Sequence, residues 1–423
     1  MSSERECFVY IVLPGATEFV TAGRFRVTTD RTGVARGSFV YGKSYLARPD
    51  VVEFDPIELR LAPRVYETVR LDGFFGAIRD SMPDYWGRRV IEKHAGLTVL
   101  EEFDYLLQGP DDRAGALGFG LNVTPPAPRR AFNSTLDLAR LQAAADAIMA
   151  DDADRADEIV AQAGNLVDPG TSMGGARPKA VVQDDSSLWI AKFSAREDRF
   201  NYPRVEHGML RLAAECGLHV ADSRLETVGG KDVLLVRRFD RDPTESGYRR
   251  HRMVSALTLL RTGDQPEDRA QWSYLLLADE IRRVSAATEA DLRELFGRIC
   301  FNAAVSNLDD HPRNHAVLGK DRSWRLSPAY DLTPTPAIAE ERRDLAMTCG
   351  PYGRYANRLN LIAGHGRFLL SEDDAAAIFD RIAATVKKRW RPLMRSIGVT
   401  ERDCEIIARA FVYGGLFLQE REA

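Results

Sequence analysis

The chain has 423 residues and 44% of them are hydrophobic, which is enough for two or three domains with cores of their own. Its 58 basic and 62 acidic side chains give a formal net charge of −4, so the composition gives no reason to expect non-specific binding to nucleic acid. No stretch approaches the roughly 20 consecutive apolar residues of a membrane helix, and the first residues lack the pattern of a signal peptide. The five scattered cysteines form no C-x-x-C pair, which argues against a disulfide framework or a zinc site. We therefore expect a cytoplasmic, multidomain protein without a membrane partner.

The first 125 residues are predicted to form a β-rich subdomain. Between residues 8 and 121, short runs of β-branched and aromatic residues alternate with Gly, Pro and Asp, a pattern typical of strands and turns. Residues 85–95 have helical spacing, and Pro83-Asp84 supplies a start signal for that helix. The stiff, polar run PPAPRR at residues 125–130 then marks a boundary.

Residues 126–241 are predicted to form a smaller mixed lobe. Two helical stretches come first, at 136–148 and 155–163. The residues before the first of them, Asn133-Ser134-Thr135, can cap its N-terminus. Three apolar runs are typical of strands, at 180–182, 188–193 and 233–239. A further helix is expected at 205–215, because Gly217 gives a stop signal just after it.

Residues 242–423 are predicted to form a mainly helical lobe. Helical periodicity dominates at 270–284, 289–304, 372–386 and 403–414, and the main interruption is the segment 309–336. A small β-rich lobe joined to a larger helical lobe is typical of enzymes that transfer phosphoryl groups from a nucleotide. We therefore expect an α+β chain with a two-lobed, protein-kinase-like fold and an N-terminal β-rich subdomain.

The most informative string is NLDDHPRNHAVL, which begins at Asn307 and connects a predicted helix to a short apolar strand. Within it, Asp309 and Asn314 stand in a D-x-x-x-x-N relation. In protein kinases a loop with this spacing holds the Asp against the attacking hydroxyl and turns the Asn amide oxygen toward a metal ion. Asp310 has the wrong spacing to Asn314 for the base, so Asp309 is the predicted catalytic residue.

Asp331 is the candidate for a second metal ligand. It follows the short run WRLSPAY, which is predicted to be a strand that ends in an acidic residue at a turn. Mg²⁺ in proteins is usually held by one or two protein oxygens, while phosphates and water supply the remaining ligands. The sequence therefore predicts Asn314 and Asp331 as the Mg²⁺-binding pair.

Other interpretations of these acidic residues remain open. D-x-x-x-x-N arises often by chance, and Asp-Asp-His can form a turn or a helix cap. A group of Asp, His and Asn can also ligate a catalytic metal in a hydrolase.

The nucleotide side is predicted upstream of this loop. The segment GTSMGGARPK, from Gly170 to Lys179, has small residues that let a backbone approach phosphates closely, although a hairpin turn explains it equally well. Its candidate ATP-contacting residues are Ser172, Met173, Gly174, Gly175 and Ala176.

Lys192 lies between apolar residues on the next predicted strand. It is the candidate phosphate-binding lysine, with Glu206 as the nearest helix carboxylate that could orient it. An edge-strand lysine that only snorkels to solvent is the alternative. Position along the chain also suggests that Arg237 and Phe239 meet the adenine through their backbone groups.

Taken together, these motifs resemble the HipA family of serine/threonine kinases, the toxin halves of bacterial type II toxin–antitoxin pairs. The resemblance runs over nearly the whole chain, and it depends on the order and spacing of six strings rather than on any one of them. They are SMPDYWGR at 81–88, GALGF at 115–119, SMGGARPK at 172–179, RFDR at 238–241, DDHPRN at 309–314 and SPAYDL at 327–332.

The resemblance implies roles for individual residues. Lys192 and His311 would contact ATP, Asp309 would be the base, and Asn314 and Asp331 would hold Mg²⁺. Ser172 matches the family's autophosphorylated serine, whose phosphate switches the kinase off. That effect has a physical basis, because a phosphate adds about −2 charge where the phosphates of ATP must lie.

The resemblance also implies partners. Known family members phosphorylate aminoacyl-tRNA synthetases and arrest growth. They are neutralised by a HipB-like helix-turn-helix antitoxin, which is the component that binds operator DNA, so this chain would meet the operator only through the antitoxin.

One departure and two alternatives accompany the resemblance. Position 237 is Arg where many relatives carry Glu, so its side chain supports no hinge assignment. A catalytically silent scaffold in an antitoxin–operator complex is one alternative. A lipid or small-molecule kinase is another, because D-x-H-x-x-N is similar to the catalytic loops of lipid kinases.

Overall fold

The computed structural model describes residues 3–95, 100–149, 177–185, 187–195, 197–337 and 339–418. The chain divides into two compact units that are discontinuous in sequence. Unit 1 contains Met1–Phe193, Arg237–Arg261 and Ala316–Trp324, and unit 2 contains Ser194–Val236, Thr262–His315 and Arg325–Ala423. The predicted three-part division at residues 125/126 and 241/242 stays a prediction. Among the helices of the described residues, none is long and apolar enough to cross a membrane.

The N-terminal part of unit 1 is built on a five-stranded antiparallel sheet. Its spatial order is Val65–Thr68, Ala35–Tyr41, Phe19–Thr29, Ser3–Val12 and Leu117–Gly120. Alternate residues of these strands are buried, so one face carries aromatic rings such as Phe25 and Phe39 into the core. The ring of Phe25 lies 5.3 Å from that of Phe74, and Phe39 lies 5.3 Å from Phe54. The prediction that the N-terminal part of the chain is rich in β-strands is therefore confirmed.

The helices of unit 1 are short. They span Lys43–Leu46, Gly76–Asp80, Tyr85–Ala95, Glu102–Gln108, Leu138–Met149 and Ala256–Leu260. The helix predicted at 85–95 has those bounds, and Asp84 begins it by accepting a 2.8 Å hydrogen bond from the backbone N–H of Gly87. The cap predicted at 133–135 is also present, since Ser134 accepts from the N–H of Leu136. The helix predicted at 155–163 lies outside the described residues.

The remaining strands of unit 1 lie in smaller groups. Lys179–Gln183 pairs antiparallel with Leu188–Lys192 and parallel with Asn133–Ser134. Arg241–Thr244 and Gly247–Arg250 form a hairpin, and Arg252–Ser255 pairs with Ala316–Gly319.

Unit 2 is mainly helical. Its helices span Tyr202–Glu215, Tyr274–Val284, Thr288–Ala304, Arg358–Ala363, Glu372–Ser396 and Glu401–Ile407. The long helix Glu372–Ser396 packs against Thr288–Ala304 and Tyr202–Glu215. One hairpin, Ser223–Val228 with Lys231–Arg237, belongs to this unit up to Val236.

Four predicted helix boundaries in unit 2 are wrong by three residues or more. The helix predicted from 205 begins at Tyr202, after the cap residue Asn201, and the other three also have local reasons. The helix predicted from 270 begins at Tyr274, because the Ser273 hydroxyl caps it by accepting from two backbone N–H groups. The helix predicted to end at 386 continues through Pro392 to Ser396, and its extension buries Leu393 and Met394. The helix predicted to 414 ends at Ile407, because the chain then turns and Val412 takes a left-handed backbone conformation with φ of 48°.

Candidate active site

The loop that follows helix Thr288–Ala304 carries two adjacent carboxylates in opposite environments. Asp310 is 1% exposed, and one of its oxygens accepts hydrogen bonds from Asn302 at 2.7 Å and from the Tyr274 hydroxyl. Nε2 of His315 lies 2.7 Å from the same oxygen. Burial alone would raise the pKa of Asp310, but His315 and these hydrogen bonds outweigh it and hold that pKa below its ordinary value. Asp310 is therefore an ionised group that fixes the loop to its unit through three contacts to one oxygen.

Asp309 is exposed, and its carboxylate makes no hydrogen bond with any residue that the structure describes. Only its backbone carbonyl is engaged, accepting from the N–H of His311 at 2.8 Å. Partial desolvation raises the pKa of Asp309, His311 and Arg269 oppose that effect, and the charges of Asp331 and Asp310 add to it. Of the two acids, Asp309 is the one free to meet a substrate, which agrees with the choice made from spacing.

Asn314 presents an unusual atom. The residue ends the short 3₁₀ turn Pro312–Asn314 and is 5% exposed, yet its side-chain oxygen Oδ1 is buried without a hydrogen-bond partner among the described residues. Buried polar atoms are almost always paired, so an unpaired acceptor calls for an explanation. A cation that binds to this amide oxygen would supply the missing partner.

The structure brings Asp331 to the same loop. Asp331 has a left-handed backbone conformation, with φ of 58°, which non-glycine residues adopt only where their surroundings hold them. The hydroxyl of the preceding Tyr330 donates a 2.6 Å hydrogen bond to the carbonyl of Arg313, the residue before Asn314. The N–H of Thr335 donates to the carbonyl of Ser306 at 2.9 Å. The segment 330–335 is thus tied to both ends of the loop 306–314.

One detail of the sequence interpretation of Asp331 is wrong. The strand that was predicted to end at Asp331 is only Arg325–Leu326, and Asp331 lies in the irregular segment beyond it. Pro328 has no backbone N–H to donate to a neighbouring strand. The carbonyl of Ser327 accepts from Arg298, and the backbone of Ala329 bonds to His219 and Ala221.

The donor set fits Mg²⁺ better than zinc. The described residues contain no cluster of three His, Cys, Asp or Glu side chains that could hold a metal ion. An amide oxygen without a partner and one nearby carboxylate form a partial oxygen site, which Mg²⁺ tolerates because phosphates and water complete its coordination. Structural and catalytic zinc sites need three or four protein ligands, usually with nitrogen or sulfur, and this loop does not assemble them.

His311 belongs to the same loop and is half-buried. Its ring lies 6.3 Å from that of Trp272, in an edge-on arrangement, and its Nδ1 atom is buried without a partner among the described residues. Asp309, His311, Asn314 and Asp331 therefore lie together in unit 2, as the sequence predicted.

The predicted phosphate-binding lysine lies in unit 1. Lys192 ends the strand Leu188–Lys192, is half-buried, and stands directly opposite Lys179 on the neighbouring strand. Lys179 is buried in an ion pair with Asp84, Nζ to Oδ2 at 2.5 Å, and its carbonyl accepts a 2.9 Å hydrogen bond from Trp86. Like charges directly opposite each other destabilise a sheet, so the negative charge of Asp84 offsets the repulsion between Lys179 and Lys192. The sequence analysis did not predict the ion pair of Lys179 with Asp84. The feature that could have drawn attention to Lys179 is its place at the end of the glycine-rich segment.

Arg237 and Phe239 are held by residues that alternate with them. Arg238 and Asp240 are fully buried, and the guanidinium of Arg238 donates to both oxygens of Asp240 and to two backbone carbonyls of residues 112 and 113. Arg241 donates to Asp240 as well. The backbone at 237–239 is thus fixed within unit 1. The glycine-loop residues Ser172, Met173, Gly174, Gly175 and Ala176 lie outside the described residues.

The fold and these groups define a class of protein: a two-lobed, kinase-like α+β fold that carries an acidic loop with an adjacent amide. HipA from the solved complex of Shewanella oneidensis MR-1 HipA, HipB and operator DNA aligns over 95% of this chain and 94% of its own, with a TM-score of 0.66 and 16% identity. That likeness shows the fold.

The family model described as the HipA-like C-terminal domain matches residues 171–390, slightly more than half of the chain. The chain therefore belongs to the HipA-like family, and the resemblance predicted from the motifs is confirmed. The curated protein "Putative kinase Y4mE" of Sinorhizobium fredii (strain NBRC 101917 / NGR234) is 31% identical over 146 residues. That alignment covers 34% of this chain and about a third, 34%, of the relative's length.

Proposed function

We propose that this chain is an ATP-dependent serine/threonine protein kinase and the toxin of a type II toxin–antitoxin pair. The observation that carries the proposal is a contrast within one loop. The side chain of Asp310 has three hydrogen-bonding partners, while the carboxylate of Asp309 and the Oδ1 atom of Asn314 have none among the described residues. Membership of the HipA-like family supports the same reaction class.

The proposed chemistry uses Asp309 as the base. The serine oxygen of the substrate forms a bond to the γ-phosphorus as the bond between that phosphorus and the leaving ADP oxygen breaks, and the hydroxyl proton passes to the Asp309 carboxylate. An exposed carboxylate with no competing donor is suited to this role. Its raised pKa favours accepting the proton late in the transfer.

Asn314 and Asp331 would hold Mg²⁺, which supplies neutralisation of the charge on the phosphates when it is bound. Lys192, His311, Arg237, Phe239 and the loop Ser172–Ala176 are the proposed ATP-contacting residues. Asp310, with Tyr274 and His315, keeps the loop in one conformation so that the neighbouring Asp309 stays in place.

The test is transfer from radiolabelled Mg-ATP by the purified chain. We expect label on Ser172, found by intact mass and phosphopeptide mapping, and self-inactivation as the label accumulates. Asp309→Asn should lower transfer by a factor of about 10²–10⁴ while nucleotide binding is retained. The exposed variant Asp50→Asn is the matched control, because its ion pair with Arg48 lies at the surface.

Two outcomes would contradict parts of the proposal. Unchanged turnover in Asp309→Asn removes Asp309 from the mechanism. A wild-type chain that transfers phosphate neither to itself nor to any protein of a cell lysate is not a protein kinase.

The proposed partners are a HipB-like antitoxin and a protein substrate of the translation machinery, an aminoacyl-tRNA synthetase by family resemblance. The fold relative was solved together with HipB and operator DNA, which supports an antitoxin partner here. Comparative phosphoproteomics of cells that express wild type or Asp309→Ala should reveal the substrate as the site labelled only by wild type. Growth arrest by Asp309→Ala equal to that of wild type would favour a silent scaffold instead.

A further inference from the structure

Arg343 is a buried arginine in unit 2, 29 residues beyond the end of the acidic loop 306–314, and no motif of the sequence singles it out. It is 3% exposed, and no carboxylate pairs with it among the described residues. Its guanidinium instead donates to the carbonyls of Ala339 at 2.8 Å and Ala337 at 3.2 Å, and lies 4.4 Å from the centre of the Tyr413 ring. The negative charge of Glu340 acts on Arg343 without forming an ion pair with it, and a buried cation that lacks a directly paired carboxylate is costly, so its other contacts are informative.

The shorter of these contacts is to Ser306, the residue that begins the acidic loop, and a longer one, at 3.5 Å, is to the carbonyl of Ala410. Nη1 of Arg343 donates to the Ser306 hydroxyl at 2.6 Å, and this hydroxyl donates to the carbonyl of Ala410 at 2.7 Å. Ser306 is fully buried and has φ of 50°, a left-handed conformation that disfavours any side chain other than hydrogen. The hydroxyl network therefore supports a backbone conformation that serine would not adopt alone.

The conformation of Ser306 matters because its carbonyl joins the two halves of the candidate site. This carbonyl accepts from the N–H of Leu308, which leads to Asp309, and from the N–H of Thr335, which ends the segment that carries Asp331; both distances are 2.9 Å. If Ser306 rotated toward an ordinary conformation, both bonds would be lost.

The C-terminal segment completes the support. The N–H of Val412 donates to the carbonyl of Ala304 at 2.7 Å, and the N–H of Gly415 donates to that of Glu340 at 2.7 Å. Residues 410–415 are thus hydrogen-bonded both to the end of the helix before the loop and to the segment that precedes Arg343 in the sequence.

We propose that Arg343, acting through Ser306, is a positioning residue that sets the acidic loop and the Asp331 segment in register for phosphoryl transfer. This inference rests on the proposed kinase function for its catalytic consequence. It adds a residue that touches neither nucleotide nor substrate, and it gives residues 410–415 a role in the site.

The test compares Arg343→Met with Arg358→Met. Arg358 is a matched control, because it also lies in unit 2 and its guanidinium also lies over an aromatic ring, that of Phe379. Unlike Arg343, it forms an ion pair with a carboxylate, Asp380, at the surface. We expect Arg343→Met to lower kcat by about tenfold or more with little change in the KM for ATP, because misplacement of reacting groups acts on the chemical step. Arg358→Met should leave both constants unchanged.

Two further measurements separate positioning from simple loss of stability. Ser306→Ala and Arg343→Met should be non-additive in kcat, since each breaks the same contact. Hydrogen exchange of the Leu308 and Thr335 amides should quicken about tenfold or more in Arg343→Met and stay unchanged in Arg358→Met. Arg343→Lys, which keeps the charge and most of the volume, provides the comparison if the methionine variant folds poorly.

The outcomes are distinct. A folded Arg343→Met with wild-type kcat and wild-type amide exchange overturns the positioning role. Faster exchange at both amides in a chain whose wild type transfers no phosphate supports the positioning role and rejects the proposed kinase function. A fall in melting temperature with kcat per folded molecule unchanged also overturns it, because Arg343 would then act on stability alone.

Discussion

Two buried polar networks, one in each unit, differ in whether they are closed. In unit 1, Asp240 accepts from Arg238, from Arg241 and from the N–H of Gly115, so both of its oxygens are occupied. In unit 2, one oxygen of Asp310 is engaged by three partners, but beside it Asp309, Nδ1 of His311, Nδ1 of His315 and Oδ1 of Asn314 lack partners among the described residues. In the first network the central acid, Asp240, is fully paired, although Oδ1 of the neighbouring Asp112 has no partner among the described residues. In the second network, the unpaired atoms lie in the same loop as the paired acid.

The difference teaches how to separate structure from chemistry in this chain. Leaving a buried acceptor unpaired costs about 1–3 kcal/mol, so folding alone does not favour it. An unpaired atom that is fixed in place by fully paired neighbours is better explained by a ligand. If this distinction holds, substitutions of fully hydrogen-bonded groups should mainly lower the free energy of unfolding, and substitutions of unpaired groups should mainly lower phosphoryl transfer.

The largest stability effect should come from the closed network. Asp240→Asn removes the carboxylate that pairs directly with both Arg238 and Arg241, so two buried guanidinium groups would lose that ion pair. The charges of these arginines hold the pKa of Asp240 below its ordinary value. We expect a loss of about 3–5 kcal/mol in the free energy of unfolding, measured by urea titration. Asp50→Asn, at a surface ion pair, should cost less than about 1 kcal/mol. Equal losses in the two variants would show that the network does not hold unit 1 together.

The adjacent acids of the loop should separate by function. Asp310→Asn weakens hydrogen bonds to a buried charge and should lower the free energy of unfolding by about 1.5–3 kcal/mol, with reduced transfer as a consequence. Asp309→Asn should lower transfer by a factor of about 10²–10⁴ and change the free energy of unfolding by less than about 0.5 kcal/mol, because its carboxylate makes no hydrogen bond with any described residue. Thermal unfolding with a transfer assay on the same samples checks both. The reverse pattern would assign the base to Asp310.

Asp55 offers a pH test of a half-open carboxyl in unit 1. It is fully buried, its Oδ1 accepts from Ile57 and Glu58, and its Oδ2 has no partner among the described residues. Burial raises the pKa of Asp55 to about 7, against about 3.9 in an unfolded chain. The folded state therefore binds more protons between these values, so this group's stabilising contribution is full below pH 4 and is lost as pH rises through 7.

The expected result for Asp55→Asn follows from that sign. Between pH 5 and pH 8 the free energy of unfolding of Asp55→Asn should rise relative to that of wild type by about 2–3 kcal/mol, measured by urea titration at each pH. Asp50→Asn should show no such trend, because the hydrogen bond from Arg48 lowers the pKa of Asp50 and moves its titration to acid pH. A constant difference between Asp55→Asn and wild type across this range would mean that Asp55 stays ionised.

The sequence predicted what depends on local patterns. Asp309 and Asn314 were found because their spacing lies within one loop, and the helix Tyr85–Ala95 because both its cap and its periodicity are local. Tyr274 and Asn302, which hold Asp310, could not be found, since nothing in the sequence near residue 310 indicates which distant side chains fold against it. The same holds for Arg343, whose partners are set by tertiary folding.

Helix boundaries failed where tertiary packing opposed local signals. Pro392 favours an early stop, but burial of Leu393 and Met394 carries the helix on to Ser396. The roles of Ser172 and Lys192 stay predictions, as do those of Asp309, Asn314 and Asp331.

The smallest stability effect, and the sharpest contrast with activity, should come from Asn314. Its Oδ1 is buried and unpaired, so Asn314→Leu removes a desolvated acceptor and replaces it with apolar volume of similar size. The free energy of unfolding should stay within about 1 kcal/mol of wild type, or rise slightly, while Mg²⁺-dependent transfer is lost. Asn360→Leu is the matched control, since Asn360 is also buried in unit 2 but donates to Gly353 and Tyr355; it should lose about 1–3 kcal/mol. Because the two asparagines share residue type, unit and burial, a stability loss at Asn314 as large as that at Asn360 would mean that its oxygen has a structural partner, and the open acceptor would no longer support a metal site.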